Sequence, residues 1–333
     1  TADLTFTYVI NKATVTIHDA GSKTYTGGAL TSDLKNTDFY TVSQGDNWVN
    51  ADDYDVKLSL TDATNYKWID GREDESITVA FTIDPLPVTI VWDDSTFSFI
   101  YDGNSHVASA SVGNIRSQNG VPDDVSFVIS GEQTNANTDG TRYTATIESL
   151  TGDQAGNYTL TGATGSTTQT FTIAPRSIGI VWDTTTHVYD GESWHPVATG
   201  FTNVIGTDSV GTLRYEGAQT DAGTNYTVTV TAVSNSNYTV SGGTNISTSF
   251  TITPRVLEGS WGTTTHEYSG ESWHPEFTPS NVLSRDTIAL EYSGAQINAG
   301  TDYEAQITEI TGTGAGNYTL EGMAHPTCGF VIT

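Results

Sequence analysis

A chain of 333 residues with 33 glycines, one cysteine and a net charge of −27 has material for several small cores. The lone Cys328 excludes an intrachain disulfide framework, and no Cys/His spacing offers a zinc site. With 12 basic against 39 acidic residues, and each of four successive segments of about 80 residues net acidic, no patch could neutralise nucleic-acid phosphates or an anionic membrane surface.

Phe6 to Ile10 are followed by Asn11-Lys12 and match the closing strand and linker found later in the chain, such as Phe171 to Ile173 with Ala174-Pro175-Arg176. The same strand-plus-linker pattern closes every later segment, so residues 1–11 are expected to be the last strand of a preceding repeat. Repeat 1 follows at 12–85, with Tyr25-Thr26-Gly27, then Asn65-Tyr66, then a closing Phe81-Thr82-Ile83. Repeat 2, 86–174, has Tyr101-Asp102-Gly103, Asn157-Tyr158 and Phe171-Thr172-Ile173. Repeat 3, 175–253, has Tyr189-Asp190-Gly191, Asn237-Tyr238 and Phe250-Thr251-Ile252. Repeat 4, 254–333, has Tyr268-Ser269-Gly270, Asn317-Tyr318 and Phe330-Val331-Ile332. The closing phenylalanines are 90, 79 and 80 residues apart, the length of one small domain.

Repeat 3 shows the pattern most cleanly. Ile178, Ile180 and Trp182 alternate along one strand, Tyr226, Val228 and Val230 along another, and Phe250 and Ile252 along the last. Clusters of Gly, Asn and Asp between these runs supply turns. Six or seven short strands without a sustained helical period predict an antiparallel immunoglobulin-like β-sandwich in each repeat. A β-grasp-like repeat is the alternative, and it requires a helix that no stretch supplies. Pro85, Pro175 and Pro254 stiffen the short linkers, so an elongated monomer of separately folding copies is expected.

The Tyr-Asp-Gly step, the Asn-Ala-Gly-Thr-x-Tyr strand at 298–303, the Asn-Tyr-Thr-Leu segment and the Thr-Phe-Thr-Ile-Ala-Pro linker resemble the MBG/YDG-type repeats of large bacterial adhesins and mucus-binding surface proteins. The resemblance covers all four repeats. Repeat 1 departs most, with Asn50-Ala51-Asp52-Asp53-Tyr54 in place of the Gly-Thr step. It implies an extracellular, cell-wall-associated stalk or adhesive region that touches host glycans or mucins.

The sharpest local motif is Glu-Ser-Trp-His-Pro, present at 192–196 and 271–275. A sugar ring stacks on an indole while neighbouring polar groups take its hydroxyls, so Glu192, Trp194, His195, Glu271, Trp273 and His274 are the candidate glycan-binding residues. The competing reading packs both indoles against the body of the repeat. Trp92, Trp182 and Trp261 alternate with core isoleucines and are expected inside. His187 and His266 give only a weak metal signal beside the Trp-His steps. The acidic clusters at 52–55, 93–94 and 123–124 lack calcium-loop spacing and read as solvated faces. Sequons at Asn157, Asn237 and Asn317 restate the repeat. No nucleophile, base and acid recur together and no phosphate-cradling loop is present, so neither catalysis nor a cofactor is expected.

Overall fold

A computed structural model describes residues 1–43, 48–137 and 140–333. Among these residues the chain is all-β, its only helical elements being three single turns of 3₁₀ helix at Asp94–Thr96, Ala155–Asn157 and Ala315–Asn317. Among the described residues no helix is long and apolar enough to cross a membrane. The chain divides into two compact units. The first holds Thr1–Phe99 and Asn104–Ile173, and the second holds Ala174–Thr333 together with the short segment Ile100–Gly103.

Each repeat builds the same four-stranded sheet. In repeat 1 the order is Ser22–Thr24, Ser76–Asp84, Asp52–Leu60, Tyr40–Ser43, and in repeat 3 it is Thr186–Val188, Ser247–Thr253, Gly223–Val233, Leu213–Glu216. Val56, Leu58, Phe81 and Ile83 from this sheet meet Val15 and Trp68 from a smaller sheet in one buried cluster. Val228, Phe250 and Ile252 are buried in the same way in repeat 3. Burial of these alternating apolar positions is the main force holding each pair of sheets together.

The expected all-antiparallel sandwich needs correction: the sheets are mixed. The strand that leads into Tyr-x-Gly runs parallel to the closing strand, as in Ser22–Thr24 against Ser76–Asp84 and Thr186–Val188 against Ser247–Thr253. The first strand of each repeat also runs parallel to the Asn-Tyr strand, pairing Ala13 with Tyr66, Leu86 with Tyr158, Arg176 with Tyr238 and Arg255 with Tyr318. These ladders are mostly two or three residues long, and alternation specifies a strand's faces without specifying its direction.

Ile178 and Ile180 are buried as expected, whereas Trp182 is half-buried. The Trp92, Trp182 and Trp261 indole N–H groups donate to the carbonyls of Ser166, Asn245 and His325 at 2.7–3.0 Å. A tryptophan at a sheet margin keeps its polar edge satisfied in this way. Residues 1–11 form no strand and are exposed.

Candidate functional site

The parallel pairing sets the Tyr-x-Gly turn against the end of the closing strand. The tyrosine N–H donates at 2.9 Å to the residue before the linker proline: Tyr25 to Asp84, Tyr101 to Ala174 and Tyr189 to Thr253. Tyr268 bonds Thr333 likewise. The turn needs a left-handed residue, and its glycine has φ of +83°, +82°, +85° and +76° at Gly27, Gly103, Gly191 and Gly270.

From this turn the phenol reaches into the following repeat. Tyr25 donates to Asp123 Oδ2 at 2.6 Å, and Tyr158 of repeat 2 donates to the same oxygen at 2.6 Å. Within the second unit Tyr101 and Tyr238 both donate to Asp208 Oδ2 at 2.7 Å, and Tyr189 and Tyr318 both donate to Asp286 Oδ2 at 2.7 Å. The two rings of each clasp meet edge to face, with centroids 5.6, 5.4 and 5.9 Å apart. Edge-to-face geometry places ring hydrogens on a π face and adds to the area buried.

Two of the Asn-Tyr asparagines, Asn157 and Asn317, add a second tie. Asn157 Oδ1 accepts from the Ala51 N–H at 2.8 Å, and its amide donates to Asn50 Oδ1 at 3.1 Å. Asn317 Oδ1 accepts from the Ala222 N–H at 2.8 Å and its amide donates to Asp221 Oδ1 at 3.2 Å. Both asparagines are buried. Joints are also packed: one hydrophobic cluster runs from repeat 1 into Val88, Val125 and Tyr158 of repeat 2, and another runs from Phe250 of repeat 3 into Leu257 and Phe277 of repeat 4.

Asp123, Asp208 and Asp286 were not singled out as site residues, and Asp123 corrects the solvated-face reading of its acidic pair. It is buried, and its Oδ1 has no hydrogen-bond partner among the described residues. A usable signal existed. Each of these aspartates stands two residues before an apolar position, at Val125, Val210 and Ile288.

The clasps leave an electrostatic signature. Burial, then the bond to Asp123, pushes Tyr25 up to about 12. The bond to Asp208, then burial, takes Tyr101 to about 12. Tyr158 and Tyr189 rise further, first from burial and then from their aspartates. Hydrogen bonds from Tyr238 and Tyr101 hold the Asp208 carboxyl below its usual range. A phenol whose folded pKa lies above its unfolded value stabilises the fold fully below about pH 10, and the effect is lost as pH climbs through the folded value. The carboxylate term has the opposite sign: it is present above about pH 4 and lost as pH falls further. Melting temperature should therefore be flat through neutral pH and fall from about pH 10 upward, with the last tyrosinates forming as the protein unfolds. A melting series that stays flat to pH 12 would contradict the clasp.

The Glu-Ser-Trp-His-Pro residues lie elsewhere. Trp194 and Trp273 are half-buried, each bridged to the next hairpin through Gln219 and Gln296. The His187 imidazole stacks flat on Trp194 at 4.8 Å and 8°, and His266 on Trp273 at 4.6 Å and 6°. Phe250 and Phe330 meet the same indoles edge-on at 5.4 Å. His195 and His274 tilt onto Tyr215 and Tyr292, and their Nδ1–H groups donate to the Pro196 and Pro275 carbonyls. Glu192 and Glu271 are exposed. Repeat 2 fills the equivalent slot with Phe99 stacked on His106 at 4.3 Å. Repeat 1 uses Leu30 bridged to Trp48. Different pairs thus fill one slot. A cavity of about 450 Å³ lies beside Trp273, lined also by Thr263, His274 and Glu276. His187 Nε2 is 3.0 Å from Asp190, and among the described residues no three His, Cys, Asp or Glu side chains converge as a metal site.

Set against known families and curated proteins, the chain matches no family model and shows no significant similarity to a curated protein.

Proposed function

We propose that this chain is a non-catalytic stretch of the stalk of a bacterial cell-surface adhesin, an extracellular, cell-wall-associated array of four immunoglobulin-like repeats that holds an adhesive domain away from the cell. The observation that carries this reading is the Tyr–Asp–Tyr clasp. The residues that define the repeat in sequence are spent on gripping the next repeat, and a side chain committed to a joint is unavailable to a ligand. A buried, hydrogen-bonded joint resists bending where a bare linker does not. The immunoglobulin-like assignment draws support from the tyrosine that opens the long hairpin strand. Tyr54, Tyr226 and Tyr303 bond back to the carbonyls of Asn50, Asp221 and Asn298, as in a tyrosine corner.

Small-angle scattering from the dilute chain tests the spacer role. A monomer with a maximum dimension several times the width of one repeat is expected, and a compact profile would remove the proposal.

A second reading, weak multivalent binding of mucins or other host glycans, is favoured by the cavity beside Trp273 and His274. Repetition of weak sites along one chain would raise avidity by roughly a hundredfold or more.

A further inference from the structure

The long hairpin of each repeat leaves one strand at a sheet margin: Ser126–Ser130 in repeat 2, Leu213–Glu216 in repeat 3 and Ala289–Ser293 in repeat 4. No strand among the described residues pairs with the outer side of any of them. A shift in register follows Val128, Arg214 and Glu291, so these three occupy one position. Unpaired N–H and C=O groups at an edge invite a further strand, and a charge on the edge is a common way to refuse one. Repeats 3 and 4 have that charge. Arg214 is exposed and forms an ion pair with Glu216 at 3.3 Å, and Glu291 is exposed as well. Tyr215 and Tyr292, one residue further on, accept from the Ala198 and Phe277 N–H groups at 3.0 Å, which ties each edge strand to the smaller sheet.

Repeat 2 has neither device. Its edge reads Ser-Phe-Val-Ile-Ser, with no charge and no proline. Val128 is 42% exposed, and Ile129, in the tyrosine position, has no hydroxyl. Phe127 and Ile129 face inward and pack half-buried on the core, so an added strand meets an apolar margin that it can extend. Charge appears at the two ends of the strand. Exposed Asp124, whose carboxylate accepts from the Asp153 N–H at 3.3 Å, flanks one end. Exposed Glu132 flanks the other, together with Glu148, whose Oε1 accepts from the Ser130 hydroxyl at 2.6 Å. Residues 123–132 contain no basic side chain.

We propose that the outer edge of Ser126–Ser130 takes up an extended segment of another protein by strand addition, the segment being apolar at alternate positions in its centre and basic at both ends. Backbone hydrogen bonds along the edge supply the affinity, and the acidic flanks select the partner. The same flanks argue against a second copy of this chain. Two such edges paired antiparallel about Val128 would set Asp124 of one against Glu132 of the other at both ends, and each copy carries a net charge of −27. A basic partner meets attraction at the same two points.

Calorimetric titration of the full chain with the end-capped peptide Lys-Val-Thr-Val-Thr-Val-Lys, followed by amide hydrogen exchange of the mixture, tests this. Binding should saturate at millimolar peptide, weaken as salt is added, and slow exchange at residues 126–130. The same peptide with glutamate in place of both lysines should bind at least about tenfold more weakly. Val128→Arg gives repeat 2 the charge that repeat 3 already has, and should lower the affinity about three- to tenfold. Its side chain lies on the exposed face, so the melting temperature should hardly move. Absence of binding at millimolar peptide overturns the proposal, as does protection at a different segment or equal binding of the glutamate peptide. Sedimentation of the chain alone is the remaining arm: a dimer that Val128→Arg dissolves would assign the edge to a second copy and overturn it too. None of these results touches the spacer role, which the scattering of the dilute monomer tests separately.

Discussion

Truncating Tyr189 to alanine is expected to destabilise the second unit by about 3–5 kcal/mol, the range for removing a fully buried aromatic side chain. Tyr189 is 0% exposed and belongs to a cluster that includes Leu257, Phe277 and Tyr318 of repeat 4, so the loss falls on the joint. The same substitution in this chain at Tyr268, which occupies the equivalent turn and is 56% exposed, should change stability by about 0.5 kcal/mol or less. Tyr189→Phe keeps the ring and loses the bond to Asp286, at about 1–2 kcal/mol. Asp286→Ala strands two hydroxyls and should cost more, and the double variant should cost less than the sum. Urea unfolding of these five proteins measures each term. Equal effects at Tyr189 and Tyr268 would show that the clasp contributes nothing. The continuous cluster also bears on independent folding: residues 175–253 alone would expose Tyr189 and lose its aspartate, so the isolated repeat should be less stable than the same repeat in the chain.

Replacing Trp194 and Trp273 together by alanine is the second large effect. Each indole is sandwiched by a histidine on its face and a phenylalanine at its edge, so about 2–4 kcal/mol per site is expected, the lower side of core aromatic truncation. Thermal melts of the double variant should fall by several degrees or more. A glycan platform predicts the reverse pattern: an unchanged melt with mucin binding abolished. His187→Phe offers a finer check, because repeat 2 already places Phe99 at that position against His106, and the variant should retain most of the stability. Loss of mucin binding without loss of stability would transfer the leading role from spacing to adhesion.

The repeated motifs and the inner faces of most strands were determined by the sequence alone, because alternation of apolar residues with period two is a property of the strand itself, whereas the strand expected in residues 1–11 does not form. Ile178, Ile180, Val228 and Val230 could be placed inside from that pattern, and the marks of each repeat, Tyr-x-Gly and Asn-Tyr, could be located to the residue. Tertiary structure decided what those marks are for. The clasp partners Tyr25 and Asp123, Tyr101 and Asp208, and Tyr189 and Asp286 are 98, 107 and 97 residues apart. No local period connects positions so distant. The aspartates also sit on loops of unequal length: nine residues separate Asn114 from Asp123, and five separate Asn203 from Asp208. In repeat 2 the longer loop folds into a hairpin, Ser117–Gln118 against Val121–Pro122, from which Gln118 also reaches the Tyr25 hydroxyl. Strand direction was hidden for a related reason. A side chain's face depends on its own neighbours in sequence, whereas a parallel or antiparallel partner is chosen by which edge lies within hydrogen-bonding reach once the chain has folded.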